Sequence, residues 1–166
     1  MRILVGMLFA ISSSCALGGT SAHVRDVDFL MKALISDNGN FVPSDWVRSL
    51  GLDAGSKEVR QPLLGKIYYE TYAGMQLQGG YKVRSVEFRK AGKHLSAIAM
   101  YFEPGPCLSF SRLAERYGPF QPEGADADAG TWIYGRQLSH GELHVHTLPP
   151  ARGGDKCVVA LAYTTD

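Results

Sequence analysis

Two cysteines that lie far apart in the chain, Cys107 and Cys157, constrain its fold more than any other feature. A disulfide between them would close a loop of about 50 residues, and the loss of chain entropy in the unfolded state then predicts roughly 4 kcal/mol of stabilisation. Such bonds persist in oxidising compartments and are rare in the cytosol. The expected pairing therefore depends on whether the chain is exported.

The N-terminal segment, residues 1–22, has the layout of a secretory signal peptide. Arg2 supplies a positive charge, and residues 3–11 form an apolar segment that is too short to span a bilayer. Small and polar residues follow and end in a small-residue cleavage site at residues 20–22. The sequence therefore predicts export, with cleavage near Ala22.

Cleavage at that point removes Cys15 and leaves residues 23–166 as a single exported domain, periplasmic or secreted, with one even pair of cysteines. The alternative is a lipoprotein attached through Cys15, which would make the chain an envelope component. Three serines precede Cys15, without the apolar residue expected before a lipidated cysteine. In both cases Cys107 and Cys157 remain available to pair.

The exported part of the chain has balanced charge. The full sequence carries 17 Lys and Arg against 16 Asp and Glu, and loss of Arg2 makes the numbers equal. Basic residues occur in groups of no more than two or three, so binding to nucleic acid or to an acidic membrane has no electrostatic basis. No second apolar segment is long enough for a stable membrane span.

Hydrophobic periodicity predicts an α+β fold, in which an antiparallel sheet packs with helices in the order α-α-β-β-β-α-β-β-β. Residues 53–65 and 119–130 are interpreted as loops. The apolar phase slips between Val83 and Val86, which indicates a β-bulge near Ser85. A second hypothesis is a doubled α-β-β-β unit. The predicted helices are Asp26–Ser36, Ser44–Leu50 and Ser109–Tyr117, and the predicted strands are Lys66–Ala73, Tyr81–Arg89, Leu95–Phe102, Thr131–Leu138, Glu142–Leu148 and Cys157–Thr164.

Three polar residues alternate along one predicted strand: Glu142, His144 and His146. Alternate side chains share one face of a strand, and two such histidines with a carboxylate can bind zinc. The spacing resembles the paired histidines of cupin-type metal sites, although residues 147–154 contain no acid to complete the set. The favoured interpretation is a solvent-facing strand edge with no metal or cofactor, and metal binding or a metal-dependent enzyme is the alternative.

Aromatic residues dominate the first predicted strand. Tyr68, Glu70 and Tyr72 share one face, and they would form an exposed recognition surface with Arg84 if the other face packs on the core. The alternative places these tyrosines in the core. The two tryptophans, Trp46 and Trp132, are assigned to the core.

No nucleophile elbow, phosphate-binding loop or metalloprotease motif is present, so we predict no catalytic residues and no enzyme activity. A small exported α+β domain of this kind favours a protein-binding module. In layout it is similar to inhibitor or immunity proteins that neutralise envelope-acting enzymes in bacteria. That similarity implies a protein partner in the periplasm or envelope, blocked by a sheet face or a loop, with residues 68–72 and 119–130 as candidate contact segments.

Overall fold

The computed structural model describes residues 25–36, 42–52, 55–60, 67–92, 94–150 and 154–165. The helices are α1 (Val27–Ser36), α2 (Pro43–Leu50) and α3 (Phe110–Tyr117). The strands are β1 (Ser56–Arg60), β2 (Ile67–Ala73), β3 (Val83–Ala91), β4 (His94–Phe102), β5 (Gln121–Asp126), β6 (Thr131–Leu138), β7 (Gly141–Thr147) and β8 (Val158–Thr165). The predicted signal segment and Cys15 lie outside the described residues. Within the described ranges, no helix is long and apolar enough to cross a membrane.

All eight strands form one antiparallel sheet, in the order β1-β2-β3-β4-β8-β7-β6-β5. Two four-stranded meanders meet at the centre, where β4 pairs with β8 and Ala99 lies opposite Ala162. The predicted α+β class with an antiparallel sheet is confirmed. The register of β3 against β4 shifts between Val83 and Ser85, where the apolar phase of the sequence indicated a bulge.

Two strands are missing from the predicted order: β1 lies within the predicted loop 53–65, and β5 lies within the predicted loop 119–130. Both are the outermost strands of the sheet. Outermost strands have one unpaired edge and need little apolar surface, and they tolerate proline. The β5 sequence, Gln-Pro-Glu-Gly-Ala-Asp, accordingly has the composition of a loop although it pairs with β6 along its length.

All three helices contribute to one hydrophobic core on one face of the sheet. Leu30, Leu34, Leu50 and Leu113 are buried in the same cluster as Ile98 and other residues of the central strands. The sheet side of this core consists of alternate residues, as expected for a sheet with one face packed by helices. That set includes Val86, Phe88, Ile98, Met100, Leu143, Val145, Leu161 and Tyr163.

The two tryptophans have different environments. Trp46 of α2 is buried in the core, as predicted, whereas Trp132 of β6 is 48% exposed and its assignment to the core is wrong. Trp132 lies opposite Ala125 and Thr147 on the neighbouring strands. Both neighbours are too small to cover an indole ring, which sequence periodicity along one strand does not reveal.

The predicted disulfide is present: Cys107 and Cys157 are bonded, with their Cα atoms 5.0 Å apart. The bond ties the segment before α3 to the start of β8. Ser109 begins α3, and its hydroxyl accepts a hydrogen bond from the Arg112 amide at 3.1 Å, as expected for an N-cap. The covalent crosslink and the helix cap therefore stabilise the same corner of the fold.

We expect the double variant Cys107→Ser/Cys157→Ser to lose roughly 2–5 kcal/mol of unfolding free energy, because the unfolded chain regains the entropy of a long loop. Chemical denaturation of the oxidised wild type and the variant measures this difference. The wild type under reducing conditions is the control and should match the variant. Equal stability of all three samples would contradict a structural role for the bond.

Asp155 next to the α3 N-terminus predicts a pH-dependent stability. Its carboxylate accepts hydrogen bonds from the hydroxyls of Ser109 and Ser111 and from the Ser111 amide. The Ser109 hydrogen bond is the largest of the causes that hold the pKa of Asp155 below its ordinary value near 3.8. A carboxyl group with a depressed folded-state pKa contributes stability above its unfolded-state pKa, and that contribution is lost as the pH falls through the folded-state pKa.

Asp155→Asn should therefore lower the melting temperature at neutral pH, and the difference from wild type should vanish under strongly acidic conditions. Thermal unfolding across the pH range measures both effects. Asp128→Asn in the exposed turn after β5 is the matched control, and it should leave the melting temperature unchanged. A deficit for Asp155→Asn that persists undiminished at the acid end would argue against this source of stability.

Candidate functional site

The face of the sheet opposite the helices is the candidate functional site. Its floor is formed by small residues of the two central strands, Ala97 and Ala99 on β4 and Ala160 and Ala162 on β8. Ala99 is only 3% exposed and Ala160 only 5% exposed, yet neither belongs to the core cluster under the helices. We call these four residues the alanine floor. Among the described residues, longer side chains of the neighbouring strands surround it.

A groove of about 560 Å³ lies over the alanine floor. Its walls come from β3 and β4 on one side and from β6, β7 and the end of β5 on the other. The wall residues relevant here are Arg84, Arg89, Tyr101, Asp126, His146 and Leu148. A floor of methyl groups between long polar and aromatic side chains makes this face concave.

Arginine and tyrosine side chains form one wall. Arg89 donates to Glu87 at 2.6 Å and to the Tyr101 hydroxyl at 3.2 Å, and its guanidinium lies 5.6 Å from the Tyr69 ring centre. Burial lowers the pKa of Arg89, but the hydrogen bond and charge of Glu87 outweigh it, so that the pKa is raised. Arg89 is therefore a fixed positive charge held between aromatic rings.

Arg84 lies on the same wall with fewer partners. Its guanidinium is 5.9 Å from the Tyr101 ring centre. In the part of the chain that the structure describes, no carboxylate pairs with it. Arg84 is therefore a cation at the groove that is held by an aromatic ring and can still pair with an acid.

Two carboxylates and a histidine meet at the opposite end of this face. His144 Nδ1 lies 2.8 Å from Glu123 Oε2, and His144 Nε2 lies 3.1 Å from Thr164 Oγ1 and 3.9 Å from Glu142 Oε2. Glu123 and Glu142 also share a hydrogen bond. We refer to Glu123, Glu142 and His144 as the acid–histidine cluster.

The local backbone explains how these side chains meet. Glu123 occupies the irregular position of β5, where the register with β6 shifts between Pro122 and Gly124. Gly135 of β6 pairs directly with His144 of β7, and it lies between Glu123 and this histidine. A Cβ atom on Gly135 would lie 1.6 Å from Glu123 Oε1 and 2.8 Å from Glu142 Oε1. The absence of a side chain at Gly135 is thus what allows Glu123 to cross β6.

The cluster has asymmetric electrostatics. Burial raises the pKa of Glu123, but hydrogen bonds to Glu142 and His144 and the charge of the histidines outweigh it, and the pKa is lowered. The pKa of His146 is lowered, first by burial and then by the charge of His144. Glu123 is therefore held as a carboxylate, whereas His146 at the groove favours its neutral form.

The sequence-predicted histidine ladder is divided between two places. Glu142 and His144 meet in the acid–histidine cluster, together with Glu123, which the sequence analysis did not select. His146 contributes no atom to this cluster and instead lines the groove. The cross-strand position of Glu123 depends on the pairing of β5, a strand that the sequence did not reveal.

The sequence-predicted tyrosine surface is split between the two faces of the sheet. Glu70 lies opposite Phe88 of the core, so Tyr68, Glu70 and Tyr72 all lie on the helix side. Tyr72 packs edge-on against Phe88 with ring centres 5.6 Å apart, whereas Tyr68 at the end of the strand stays 37% exposed. Arg84 lies beside Tyr101 on the opposite face.

In the register of β2 against β3, Glu70 pairs with Phe88 of the core. The hypothesis in which Tyr69 faces the core and Tyr68 and Tyr72 face away from it is therefore not what the structure shows. Glu70 instead forms an ion pair with Lys90 at 2.9 Å. Tyr69, which faces the core only in the hypothesis of an exposed tyrosine surface, lies on the groove side with Arg89. Strand alternation correctly separated the two sets of residues, but it could not decide which set the helices would cover.

A second cavity, of about 530 Å³, lies beside α1 and α3. Asp28, one of the two aspartates that line it, accepts a hydrogen bond from the Tyr117 hydroxyl at 2.6 Å and forms an ion pair with Arg116. Burial and the bond to Asp28 raise the pKa of Tyr117 well above its ordinary value. The polar groups here join two helices, which favours a structural role.

Comparisons with family models, with curated proteins and with solved structures find no significant match to this chain.

Gly135→Ala tests the role of the missing side chain. We expect the methyl group to displace the Glu123 and Glu142 carboxylates and to open the cluster, with little loss of unfolding free energy, because both clashes are with the ends of flexible side chains. The NMR shifts of the His144 ring measure whether the cluster opens, and chemical denaturation measures the change in stability. Gly124→Ala on β5 is the matched control, because a Cβ atom there meets nothing within 4 Å. Equal, small effects of both changes on the His144 shifts would refute the steric argument.

Proposed function

We propose that this chain is an exported protein-binding module that binds its partner through the groove over the alanine floor. The observation that carries the proposal is the pairing of that floor with a wall of Arg84, Arg89 and Tyr101, in which the Tyr69 ring lies against Arg89. Tyrosine and arginine are enriched at protein–protein interfaces and among the residues that dominate binding energy. Rigid rings and a guanidinium fixed by hydrogen bonds also lose little entropy on binding.

The proposed occupant is a surface loop of a folded partner protein that carries an aspartate or glutamate. A groove along an open sheet accommodates a length of chain, and the small floor residues allow that chain to approach the sheet closely. Arg84 supplies the complementary charge, because it has an aromatic neighbour but no ion pair within the described residues. A bidentate arginine–carboxylate pair would give both affinity and orientation.

The compartment and partner class follow the sequence hypothesis: a periplasmic or secreted protein, of the inhibitor or immunity type, that blocks an envelope-acting enzyme. The disulfide between Cys107 and Cys157 supports an oxidising compartment. Residues 119–130 contribute differently from the sequence interpretation, because half of them form β5. Asp126 and Ala129 border the groove, so this segment supports the sheet face instead of acting as a separate inserting loop.

The test is capture of partners from envelope extracts on the immobilised, oxidised chain, followed by affinity measurement with the purified partner. We expect a stoichiometric protein whose affinity falls at least tenfold with Arg84→Glu and with Tyr101→Ala. Tyr68→Ala, an exposed tyrosine on the helix side, is the control and should leave affinity unchanged. Hydrogen–deuterium exchange of the complex should show protection on β3, β4 and β8.

Two outcomes would overturn the proposal. One is a partner whose affinity falls with Tyr68→Ala but not with Arg84→Glu, because that result places the interface on the helix side. The other is a partner whose acidic loop can be neutralised without loss of affinity, because the charge argument then fails.

Three further hypotheses from the sequence remain proposals. A metal-binding protein is the second candidate function, and the acid–histidine cluster is the observation that favours it. The doubled unit is supported by the arrangement of the strands, since a four-stranded meander follows α2 and another follows α3, and the two meet at β4 and β8. An envelope component attached through Cys15 would be recognised by the mass of the mature N-terminal peptide.

A further inference from the structure

We infer that Glu123, Glu142 and His144 form a binding site for one divalent transition-metal ion, and that Zn²⁺ fits the site best. One ligand atom from each residue lies within 4.8 Å of the others. The ligand set replaces His146 of the sequence pattern with Glu123 of a different strand. The inference rests on the second candidate function, for which it names the ligands and the ion. It is independent of the proposed protein partner, which would bind at the other end of the sheet face.

Hydrogen bonding around His144 leaves one ring nitrogen directed at the cluster. His144 Nδ1 lies 2.8 Å from Glu123 Oε2, and His144 Nε2 lies 3.1 Å from the Thr164 hydroxyl. Without metal, a proton on Nδ1 can be donated to the Glu123 carboxylate. An ion bound to Nδ1 would replace this proton, and Nε2 would then donate to Thr164 Oγ1, whose own proton can be donated to the Glu142 carbonyl at 3.5 Å.

The two carboxylates lie close together beside Gly135. A Cβ atom at that position would lie 1.6 Å from Glu123 Oε1 and 2.8 Å from Glu142 Oε1. Two ionised carboxylates at such a separation repel each other, and a cation held between them removes the repulsion. One divalent ion bound by both carboxylates and by His144 Nδ1 would do so, and the proton that it displaces from the imidazole would pass to solvent.

The chemistry of the donors selects the metal. Zn²⁺ binds histidine nitrogen and carboxylate oxygen at about 2.0–2.2 Å in tetrahedral geometry, which separates neighbouring donors by roughly 3.3 Å. His144 Nδ1 and Glu123 Oε2 lie 2.8 Å apart, and one donor atom of each of the three residues lies within 4.8 Å of the others, so side-chain rotations would bring the three donors to this spacing. Calcium and magnesium prefer sets made only of oxygen ligands. Thr164 would act as the outer partner that fixes the imidazole, as is usual for metal-bound histidines.

The surroundings suit a bound ion that remains accessible. The side chains of His144 and Glu123 are 18% and 30% exposed, so an ion can enter from solvent while much of the site stays shielded. Three protein ligands leave a fourth position for water or for a small ligand, as in zinc sites that bind or activate a molecule. Gly135 leaves the space in which the two carboxylates approach each other.

The experiment is calorimetric titration of the oxidised, chelator-treated full chain with ZnCl₂, with Co²⁺ absorption as a second readout. We expect one ion per chain, micromolar or tighter affinity, and the visible spectrum of tetrahedral Co²⁺. Repeating the titration in two buffers of different ionisation enthalpy should show release of protons. Glu123→Gln and His144→Gln should each weaken binding at least tenfold, because each removes a ligand.

His146→Gln is the matched control, because His146 lies two positions after His144 on the same strand. The affinity of this variant for Zn²⁺ should stay within about threefold of wild type. Circular dichroism and thermal unfolding without metal should show that every variant remains folded. If a ligand variant does not fold, the conservative Glu123→Asp replaces it, and this variant should still bind the ion with lower affinity than wild type. Millimolar affinity in wild type, or equal losses for His144→Gln and His146→Gln, would overturn the site. Neither result would bear on partner binding at Arg84, which is measured separately.

Discussion

The pairing of β4 with β8 is the interaction on which the rest of this structure depends. It joins two four-stranded meanders that would otherwise each end in an unpaired strand, and the whole sheet extends outward from it. Isolated small sheets are marginal in water, so this central ladder allows each half to complete a core with its helices. The disulfide between Cys157, directly before β8, and Cys107 links the same strand to the segment that precedes α3.

The two faces of this continuous sheet differ, because the helices cover one face and leave the other uncovered. The helices cover the face with Phe88, Ile98 and Leu161, which supplies the hydrophobic stability of the domain. The other face carries alanines at its centre and charged or aromatic residues around them. Because stability depends mainly on the covered face, the opposite face is free to vary in chemistry, which makes it suitable for recognition.

The acid–histidine cluster and the groove show how one sheet face can hold two separate chemistries. Arg84 places a cation at one end, where Arg89 is already paired with Glu87, whereas Glu123 and Glu142 place carboxylates near His144 at the other. The alanine floor lies between them. The acidic partner loop and the metal ion that we propose would therefore meet this face at opposite ends.

The sequence by itself determined the α+β class, the disulfide pair, the start of α3 at Ser109, the bulge near Ser85 and most of the strands. These features depend on local periodicity, capping and cysteine count, all of which can be read within a short segment. Tertiary structure alone decided the sheet order, the strands β1 and β5, the covered face of β2, and the meeting of Glu123 with His144. The physical reason is that each of these features depends on pairing between distant segments. Glu70 lies on the helix side because it pairs with Phe88, and Glu123 reaches His144 because the residue between them, Gly135, has no side chain.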